Sequence, residues 1–381
     1  MPFTAPGDVV QVDEAGRLLA ILEPSPQRAT PVCRHFGTCG GCALQHLDEP
    51  SYRAFKRDQV VQTLAQRGIS DVEVNEPVIV PPHSRRRAAL KAIKQNGETK
   101  LGFNARASHA IVDMHDCPVL SPDLFVLVGK LRALMHAILR DGEKADLHLT
   151  EADNGFDLAL TLKRANTPAV ISQIAQRAPL MGLVRVTAGR DPLAEFEPPY
   201  LRVGPSTVRL PPDPFLQATR ESEQFLQDYV ASAVGKARNV ADLFCGLGTF
   251  ALPLAKSHKV HAFDGDPAMI AALDSAARST SGLKPLKAER RDLFRRPLAA
   301  FELNSFDAVV IDPPRTGATA QVEQLAKSKT ARIVYVSCSP ASFARDARHL
   351  IDAGYRLGPV TPLDQFLWSA QLELVATFEK G

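Results

Sequence analysis

The chain has 381 residues, a length that predicts two or three domains. Its content of 45% hydrophobic and 23% charged residues is typical of a globular protein, and no apolar run is long enough for a transmembrane helix. The net charge of +3 is too small to indicate a nucleic-acid partner by itself, and the first residues show no signal-peptide pattern. We therefore expect a cytoplasmic protein with reduced cysteines, which favours metal binding or catalysis over disulfides.

The first half of the chain is predicted to be rich in β-structure. Residues 3–23 form short strands, and an amphipathic helix over 51–67 ends at Gly68. Between residues 72 and 210 the pattern indicates mostly strands, interrupted by one helix over 123–140. The segment Asp153-Asn154-Gly155 predicts the turn of a β-hairpin.

The pattern of predicted secondary structure changes after Pro211-Pro212-Asp213-Pro214, which marks a domain boundary. Apolar strands alternate with helical segments, and this alternation predicts a doubly wound parallel α/β sheet over residues 211–381. The predicted strands are 239–244, 259–263, 308–311 and 333–337, followed by two closing strands at 355–360 and 372–378.

A glycine-rich loop follows the first of these strands. Its glycines, Gly246 and Gly248, let the backbone approach a nucleotide-like ligand at the carboxyl end of the strand. Asp264 ends the second strand and is predicted to accept the ribose hydroxyls, and Asp292 is predicted to reach an adenine edge. Turn formation and helix capping are the alternative roles of these two acids. The loop also fits a dinucleotide such as NAD, but Asp312, in the Asp-Pro-Pro-Arg segment after the fourth strand, favours S-adenosylmethionine.

Cys338 follows the fifth strand and is predicted to be a nucleophile activated by position and by nearby positive charge. A thiol is useful in methylating uracil, because its addition to C6 makes C5 nucleophilic. The C5 proton must then leave, which requires a general base. Glu373 is the candidate, since its apolar neighbours Leu372 and Leu374 would raise its pKa. The alternatives are a structural buried cysteine and an outward-facing carboxylate.

Four other cysteines predict a metal or cluster site. Cys33, Cys39 and Cys42 are spaced C-x5-C-x2-C, and Cys117 lies far downstream before a proline. Four thiolates suit zinc or an iron–sulfur cluster, and the spacing favours the cluster only slightly.

Basic residues concentrate between residues 84 and 106, which indicates an RNA-contacting strand surface or simply a solvated face. Phe215 is a candidate for stacking on a base, with a core position as the alternative. The basic residues are Arg85, Arg86, Arg87, Lys91, Lys94, Lys100 and Arg106.

Taken together, these motifs resemble the RNA uracil-5-methyltransferase family over residues 33–379, and most closely its cluster-containing branch that modifies 23S ribosomal RNA. The resemblance implies S-adenosylmethionine and a [4Fe–4S] cluster held by the four cysteines just described. It also implies Cys338 as the nucleophile and Glu373 as the base. The implied cofactor-binding residues are Gln217, Phe244, Thr249, Asp264, Asp292 and Asp312, beside the loop glycines Gly246 and Gly248.

The chain departs from the family pattern in several places. Ser339 replaces a frequent Asn after the nucleophile, and Asp264 replaces a frequent Glu. Only the last part of an RNA-binding β-barrel is expected, within residues 1–30, followed by a cluster-bearing, RNA-binding region over 31–210 and the methyltransferase domain over 211–381. We expect a monomer that acts on ribosomal RNA.

Four alternatives concern the activity. A transfer-RNA uridine and a non-catalytic, cluster-containing RNA-binding protein both remain open. A cytosine-5 or adenine-N6 enzyme is disfavoured, because the fourth-strand motif lacks a second cysteine and an amino-group methylase needs no thiol.

Overall fold

The computed structural model describes residues 2–381, and contacts within the chain define two compact units. The first comprises the chain up to Lys56, Pro81–Pro198 and Phe366–Ala370. The second comprises Arg57–Val80, Pro199–Gln365 and Gln371–Gly381. Neither unit is continuous in sequence, whereas the sequence predicted consecutive segments with a boundary at residue 210. The difference has two causes. The short strand Val78–Ile79 pairs within the sheet of the second unit, and the helix Glu49–Ala65 packs its later residues against the core of that unit.

The first unit contains a two-stranded sheet and a six-stranded sheet. The larger sheet has the order β5-β4-β6-β7-β8-β9 and is antiparallel except where β7 pairs with β8. Its strands, with the pair β1 and β2, are β1 Val9–Val12, β2 Leu18–Glu23, β4 Arg87–Gln95, β5 Glu98–Gly102, β6 Lys144–Ala152, β7 Gly155–Thr161, β8 Leu183–Ala188 and β9 Asp191–Glu195. The predicted hairpin is confirmed as β6 and β7, which join at the predicted turn.

Helices cover one face of the six-stranded sheet. Helix α2, Pro122–Ile138, begins where the Ser121 side chain accepts a hydrogen bond from the Leu124 amide. Its leucines share one hydrophobic core with alternate residues of β4, β6 and β7. Helix α3, Pro168–Arg177, was not predicted, because only Val170 and Ile174 of its ten residues are buried and the periodic signal is short. A short 3-10 turn, Pro179–Met181, follows it.

The second unit is built on a nine-stranded sheet. Its order is β14-β13-β12-β15-β16-β19-β18-β3, with β17 also paired to β19. The strands are β3 Val78–Ile79, β12 Asn239–Leu243, β13 Lys259–Asp264, β14 Leu286–Arg290, β15 Ala308–Ile311, β16 Arg332–Ser337, β17 Tyr355–Leu357, β18 Thr361–Asp364 and β19 Glu373–Lys380. A separate hairpin is formed by β10 Tyr200–Val203 and β11 Ser206–Arg209.

Helices separate the strands of this sheet, and the predicted α/β architecture is confirmed. They are α4 Arg220–Val234, α5 Ala251–Leu254, α6 Pro267–Ser279, α7 Ala300–Leu303, α8 Thr319–Lys327 and α9 Pro340–Asp352. Helix α1, Glu49–Ala65, confirms the predicted helix, and its buried residues Val60 and Leu64 join the core on one face of the sheet. Strands β14 and β18 were not predicted as such, because both are short and carry charged or proline residues.

Strands β12 to β16 are mutually parallel, so their carboxyl ends meet at one edge of the sheet. Strand β19 runs antiparallel to β16 and β18, and it therefore begins at that same edge. We call this the carboxyl edge. In residues 2–381, no helix is both long enough and apolar enough to cross a membrane.

Candidate active site

The strand register brings the predicted catalytic residues to the carboxyl edge. Ser337, the last residue of β16, pairs with Leu374 of β19, so Cys338 and Glu373 are the next residues outward on neighbouring strands. Asp312 directly follows β15, the other neighbour of β16. Cys338 also directly precedes Ser339, whose side chain caps helix α9 by accepting from the Ser342 amide.

The glycine-rich loop after β12 adopts a strained, left-handed backbone. Phe244 has a φ of 61°, which is costly for a bulky residue, and Gly246 and Gly248 have φ values of 52° and 90°. A Cβ on Gly248 would lie 2.4 Å from the Leu273 side chain, so only glycine fits there. A Cβ on Gly246 would meet nothing within 4 Å, so the loop leaves open space at that point. The loop is therefore shaped for close approach of a ligand to its backbone.

Asp264 holds this loop in place. Its Oδ2 accepts a hydrogen bond from the Gly246 amide at 2.9 Å, and its Oδ1 accepts from the Asp266 amide at 2.8 Å. Asp292 is exposed and closes a turn by accepting from the amides of Phe294 and Arg295. Both acids thus also perform the backbone role that the sequence left as the alternative to cofactor binding.

The helix after the loop is short. Helix α5 spans only Ala251–Leu254, a single turn, so it provides no extended helix N-terminus for a ligand. Thr249 lies between the loop glycines and this turn.

Buried carboxyl groups concentrate beside the loop. Both side-chain oxygens of Asp242 are buried without a hydrogen-bond partner. Burial, followed by the charge of Asp312, raises the pKa of Asp242 well above its usual range. Burial also raises the pKa of Asp312 to about 7. A positively charged ligand beside these two carboxyl groups would therefore stabilise their ionised forms.

Cys338 is not activated in the way the sequence suggested. Burial raises the pKa of its thiol to about 11, and the charges of Glu373 and Asp312 add to this effect. Arg315 lowers the pKa, but by less than these groups raise it. The positive charge of Arg315 therefore does not lower the pKa of the Cys338 thiol below its usual value, and the free thiol is mainly protonated at neutral pH.

Glu373 is buried, which excludes the outward-facing alternative. It is 3% exposed, and burial followed by the charge of Asp312 raises its pKa well above the usual range. Its Oε2 accepts a hydrogen bond of 2.7 Å from the Gln365 side chain, which lowers the pKa in partial compensation. A buried carboxyl group with a raised pKa is suited to proton transfer.

Sequence reasoning missed Gln365. Its side chain also donates to Gln217 Oε1 at 2.8 Å, and Gln217 in turn donates to Asp312 Oδ2 at 3.3 Å. The predicted residue Gln217 thus lies at the carboxyl edge. The polar pair Asp364-Gln365 could have indicated Gln365, but β18 was not predicted as a strand.

The raised thiol pKa has a measurable consequence for Cys338. In the ligand-free protein, we expect its alkylation by iodoacetamide to be slow at pH 7 and to accelerate about tenfold per pH unit towards pH 11. Glu373→Gln should speed alkylation at a fixed alkaline pH, because it removes a neighbouring negative charge. Mass spectrometry of the Cys338 peptide measures both rates. A rate that is independent of pH above 7 would contradict the raised pKa.

The four cysteines of the predicted metal site lie in the first unit as free thiols. Burial raises the pKa of Cys42 to about 12, and the charges of Cys117, Cys39 and Cys33 contribute to it. Burial raises the pKa of Cys117, although backbone amides oppose this effect, and the Gly41 amide donates to Cys39 Sγ at 3.4 Å. The four sulfurs are therefore neighbours that interact electrostatically.

These neighbours do not form a ready coordination site. Across residues 2–381, no group of three or more His, Cys, Asp and Glu side chains is arranged so that it could hold a metal ion. The predicted convergence of the four sulfurs on one centre, with its iron–sulfur ligation, is thus not supported by the geometry.

The predicted basic surface is partly occupied by internal contacts. Arg86 is only 2% exposed, so it is not available to phosphate. Lys91 pairs with Asp146 at 2.6 Å, and Lys94 donates to the carbonyl of His136. Lys100 and Arg106 are exposed, and the Arg106 guanidinium lies over the Phe3 ring. Phe215 is 67% exposed, which excludes a core position.

Comparison with known proteins relates this arrangement to one class. A family model described as tRNA (Uracil-5-)-methyltransferase matches residues 207–380. An uncharacterized RNA methyltransferase of Rhizobium meliloti (strain 1021) is 45% identical, over 100% of this chain and 93% of that protein. The 23S rRNA (uracil(1939)-C(5))-methyltransferase RlmD of Vibrio campbellii is 32% identical, over 96% and 85% of the two chains.

A solved structure resembles the whole chain. The Pyrococcus abyssi tRNA (uracil-54, C5)-methyltransferase, in complex with S-adenosyl-L-homocysteine, superposes with a TM-score of 0.75 at 25% identity. The match covers 99% of this chain and 94% of that one. The fold is therefore an α/β fold with a Rossmann-like methyltransferase sheet. The chain belongs to the RNA (uracil-5-)-methyltransferase family and is an enzyme of that class. The non-catalytic alternative is not supported.

Proposed function

We propose that the enzyme methylates C5 of a uridine in RNA with S-adenosylmethionine, through a covalent bond between Cys338 and C6. The observation that carries this proposal is the meeting of three groups at the carboxyl edge: a thiol, a buried carboxyl group with raised pKa, and a glycine-rich loop. An amino-group methylation would use neither the thiol nor the base.

The residues around the loop fit S-adenosylmethionine. The unpartnered carboxyl group of Asp242 and the raised pKa of Asp312 are suited to a cationic ligand. The open space at Gly246 allows close backbone approach, and Asp264 and Asp292 are the acids proposed for the ribose and the adenine. Phe244, Gln217, Gly248 and Thr249 are the other residues that we assign to this site. When bound, the cofactor supplies an electrophilic methyl group.

The chain's own residues then perform the remaining chemistry. The Cys338 thiol releases its proton to solvent, and the resulting thiolate forms a bond to C6 while the electrons of the C5–C6 double bond move to C5. After C5 carries the methyl group, Glu373 takes the C5 proton. The electrons of the C5–H bond re-form the double bond, the C6–S bond breaks and the thiolate leaves.

The proposed substrate is 23S ribosomal RNA, on the similarity to RlmD, with a transfer RNA as the second candidate on the similarity to the Pyrococcus abyssi enzyme. Mapping of 5-methyluridine by nucleoside mass spectrometry, in RNA from a deletion strain, distinguishes them. We expect one 23S position to lose its methyl group and to regain it with the wild-type gene but not with Cys338→Ala. Loss confined to transfer RNA would select the alternative, and no loss would contradict the function.

We also propose that Cys33, Cys39, Cys42 and Cys117 bind a [4Fe–4S] cluster. The support is chemical: four neighbouring thiols, amide donors to sulfur, and the half-buried side chain of Arg85. Burial lowers the pKa of Arg85, and the charges of Cys117 and Cys42 oppose this effect. The sulfurs would have to draw together from their present positions, because the described residues hold no ready coordination site. Zinc remains the alternative metal.

Metal analysis tests the cluster directly. Protein purified anaerobically should be brown and contain about four iron and four sulfide per chain. Cys117→Ser should lose iron because it removes a ligand, whereas Cys338→Ala should retain it because that thiol belongs to the other unit. Zinc without iron in the wild-type protein would instead assign a structural zinc site.

Three further assignments belong to the same proposal. We place the enzyme in the cytoplasm, where ribosomal RNA and reduced thiols occur together, and we propose that it acts as a monomer. We also assign RNA contact to the region over residues 31–210, in which Lys100 and Arg106 are exposed. Residues 1–30, with the antiparallel pair β1 and β2, would extend this RNA-binding region.

A further inference from the structure

We propose that Gln365 is a positioning residue for Glu373, fixing the carboxylate so that Oε1 is the oxygen that receives the C5 proton. This inference rests on the proposed function, since it assigns a partner to the proposed base. Gln365 follows β18 and is 2% exposed, so its amide is shielded from bulk water. Its nitrogen lies 2.7 Å from Glu373 Oε2.

The orientation of the Gln365 amide is determined by its surroundings. The backbone N–H of Ala218 can only donate, and it lies 2.9 Å from Gln365 Oε1. The Ser222 hydroxyl lies at the same distance from that oxygen. The oxygen must therefore face Ala218 and Ser222, and the nitrogen must face Glu373. The amide cannot flip without leaving a buried donor unpaired.

A second amide continues the arrangement. The other N–H of Gln365 donates to Gln217 Oε1 at 2.8 Å, which directs the Gln217 nitrogen to Asp312 Oδ2 at 3.3 Å. Two oriented amides thus donate one N–H to each of the two carboxyl groups at the carboxyl edge. Glu373 Oε2 is occupied by this bond, which leaves Oε1 as the oxygen that Gln365 does not engage.

The N–H of Gln365 also favours the form of Glu373 that can accept a proton. Burial and the charge of Asp312 both favour the protonated acid, and the Gln365 hydrogen bond opposes them. The other charged or titratable groups near the pair are the Cys338 thiol and, beside it, Arg315. Replacing Gln365 with an apolar side chain would leave these groups in place and remove the opposing donor, together with the hydrogen bonds of Gln365 to Ala218, Ser222 and Gln217.

The test compares the pH dependence of adduct resolution in three variants. Gln365→Met has nearly the same volume but no donor, so adduct formation by Cys338 should persist. The pH below which resolution of the methylated adduct slows should rise by roughly one to two units. At a fixed pH below this point, resolution should therefore be about tenfold to hundredfold slower than in the wild-type protein. Raising the pH should restore the rate in Gln365→Met, but not in Glu373→Gln, which has no base to ionise.

Ser222→Ala is the matched control, because it removes a contact to the same amide oxygen while Ala218 still orients the amide. The pH dependence of adduct resolution in Ser222→Ala should match that of the wild-type protein. Gel analysis of the RNA–protein adduct in single turnover measures each rate, and adduct formation shows that each variant is folded. The proposal would be overturned if the pH dependence of adduct resolution did not shift in Gln365→Met, or if it shifted equally in Ser222→Ala. Failure of the function itself would look different, since then no variant, including Glu373→Gln, would form an adduct.

Discussion

Glu373→Gln should accumulate a methylated enzyme–RNA adduct that survives denaturing electrophoresis. The substituted side chain keeps its size and can still accept the Gln365 hydrogen bond, but it cannot take the C5 proton. Because loss of a general base typically slows a reaction about 10²–10⁴-fold, the adduct should form and then resolve slowly. Gels with labelled RNA and labelled methyl donor, followed over time, measure both steps.

Two controls separate the base from the nucleophile and from the strand. Cys338→Ala should form neither adduct nor product, because no thiol is available for C6. Glu379→Gln alters a carboxylate of the same strand, β19, that pairs with Arg332 and Arg356 away from the carboxyl edge, and it should turn over normally. Normal turnover by Glu373→Gln would assign the base to another residue, and methylation by Cys338→Ala would exclude covalent catalysis.

Asp264→Ala should weaken S-adenosylmethionine binding strongly, since the carboxylate serves two purposes at once. It is proposed to accept the ribose hydroxyls, and it holds the Gly246 amide at 2.9 Å. Each charge-assisted hydrogen bond contributes about 1.5–3 kcal/mol, so the loss of one bond corresponds to roughly a 10- to 150-fold increase in Kd. Isothermal titration calorimetry measures this affinity without RNA.

Asp274→Ala is a matched control for this experiment. Asp274 is an acid on helix α6 that pairs with Arg278 on the same helix, and its removal should leave binding unchanged. Unchanged affinity in Asp264→Ala would refute the placement of the cofactor at this loop. Binding of NAD in place of S-adenosylmethionine would refute the proposed cofactor.

The sequence alone determined the architecture of the sheet and much of the site. Apolar strands alternating with helices predict parallel pairing, and residues that end such strands must meet at one edge, as Asp312 and Cys338 do. Gly246 and Gly248 indicated the loop, because few other residues adopt positive φ without strain. These features are local in sequence, and for that reason they could be predicted.

Properties that depend on distant neighbours were decided only by the tertiary structure. A charge on a strand can face inward or outward, and only the packing of β16 and β18 around β19 buries Glu373 and raises its pKa. The same packing buries the Cys338 thiol and places carboxyl groups beside it. Its pKa is therefore raised, whereas the sequence predicted a thiol activated by positive charge. Gln365 was not recognisable as a partner of Glu373, because the Ala218 amide that orients it lies well over 100 residues away in the chain. Burial and hydrogen-bond geometry arise from contacts between segments that the chain order does not specify.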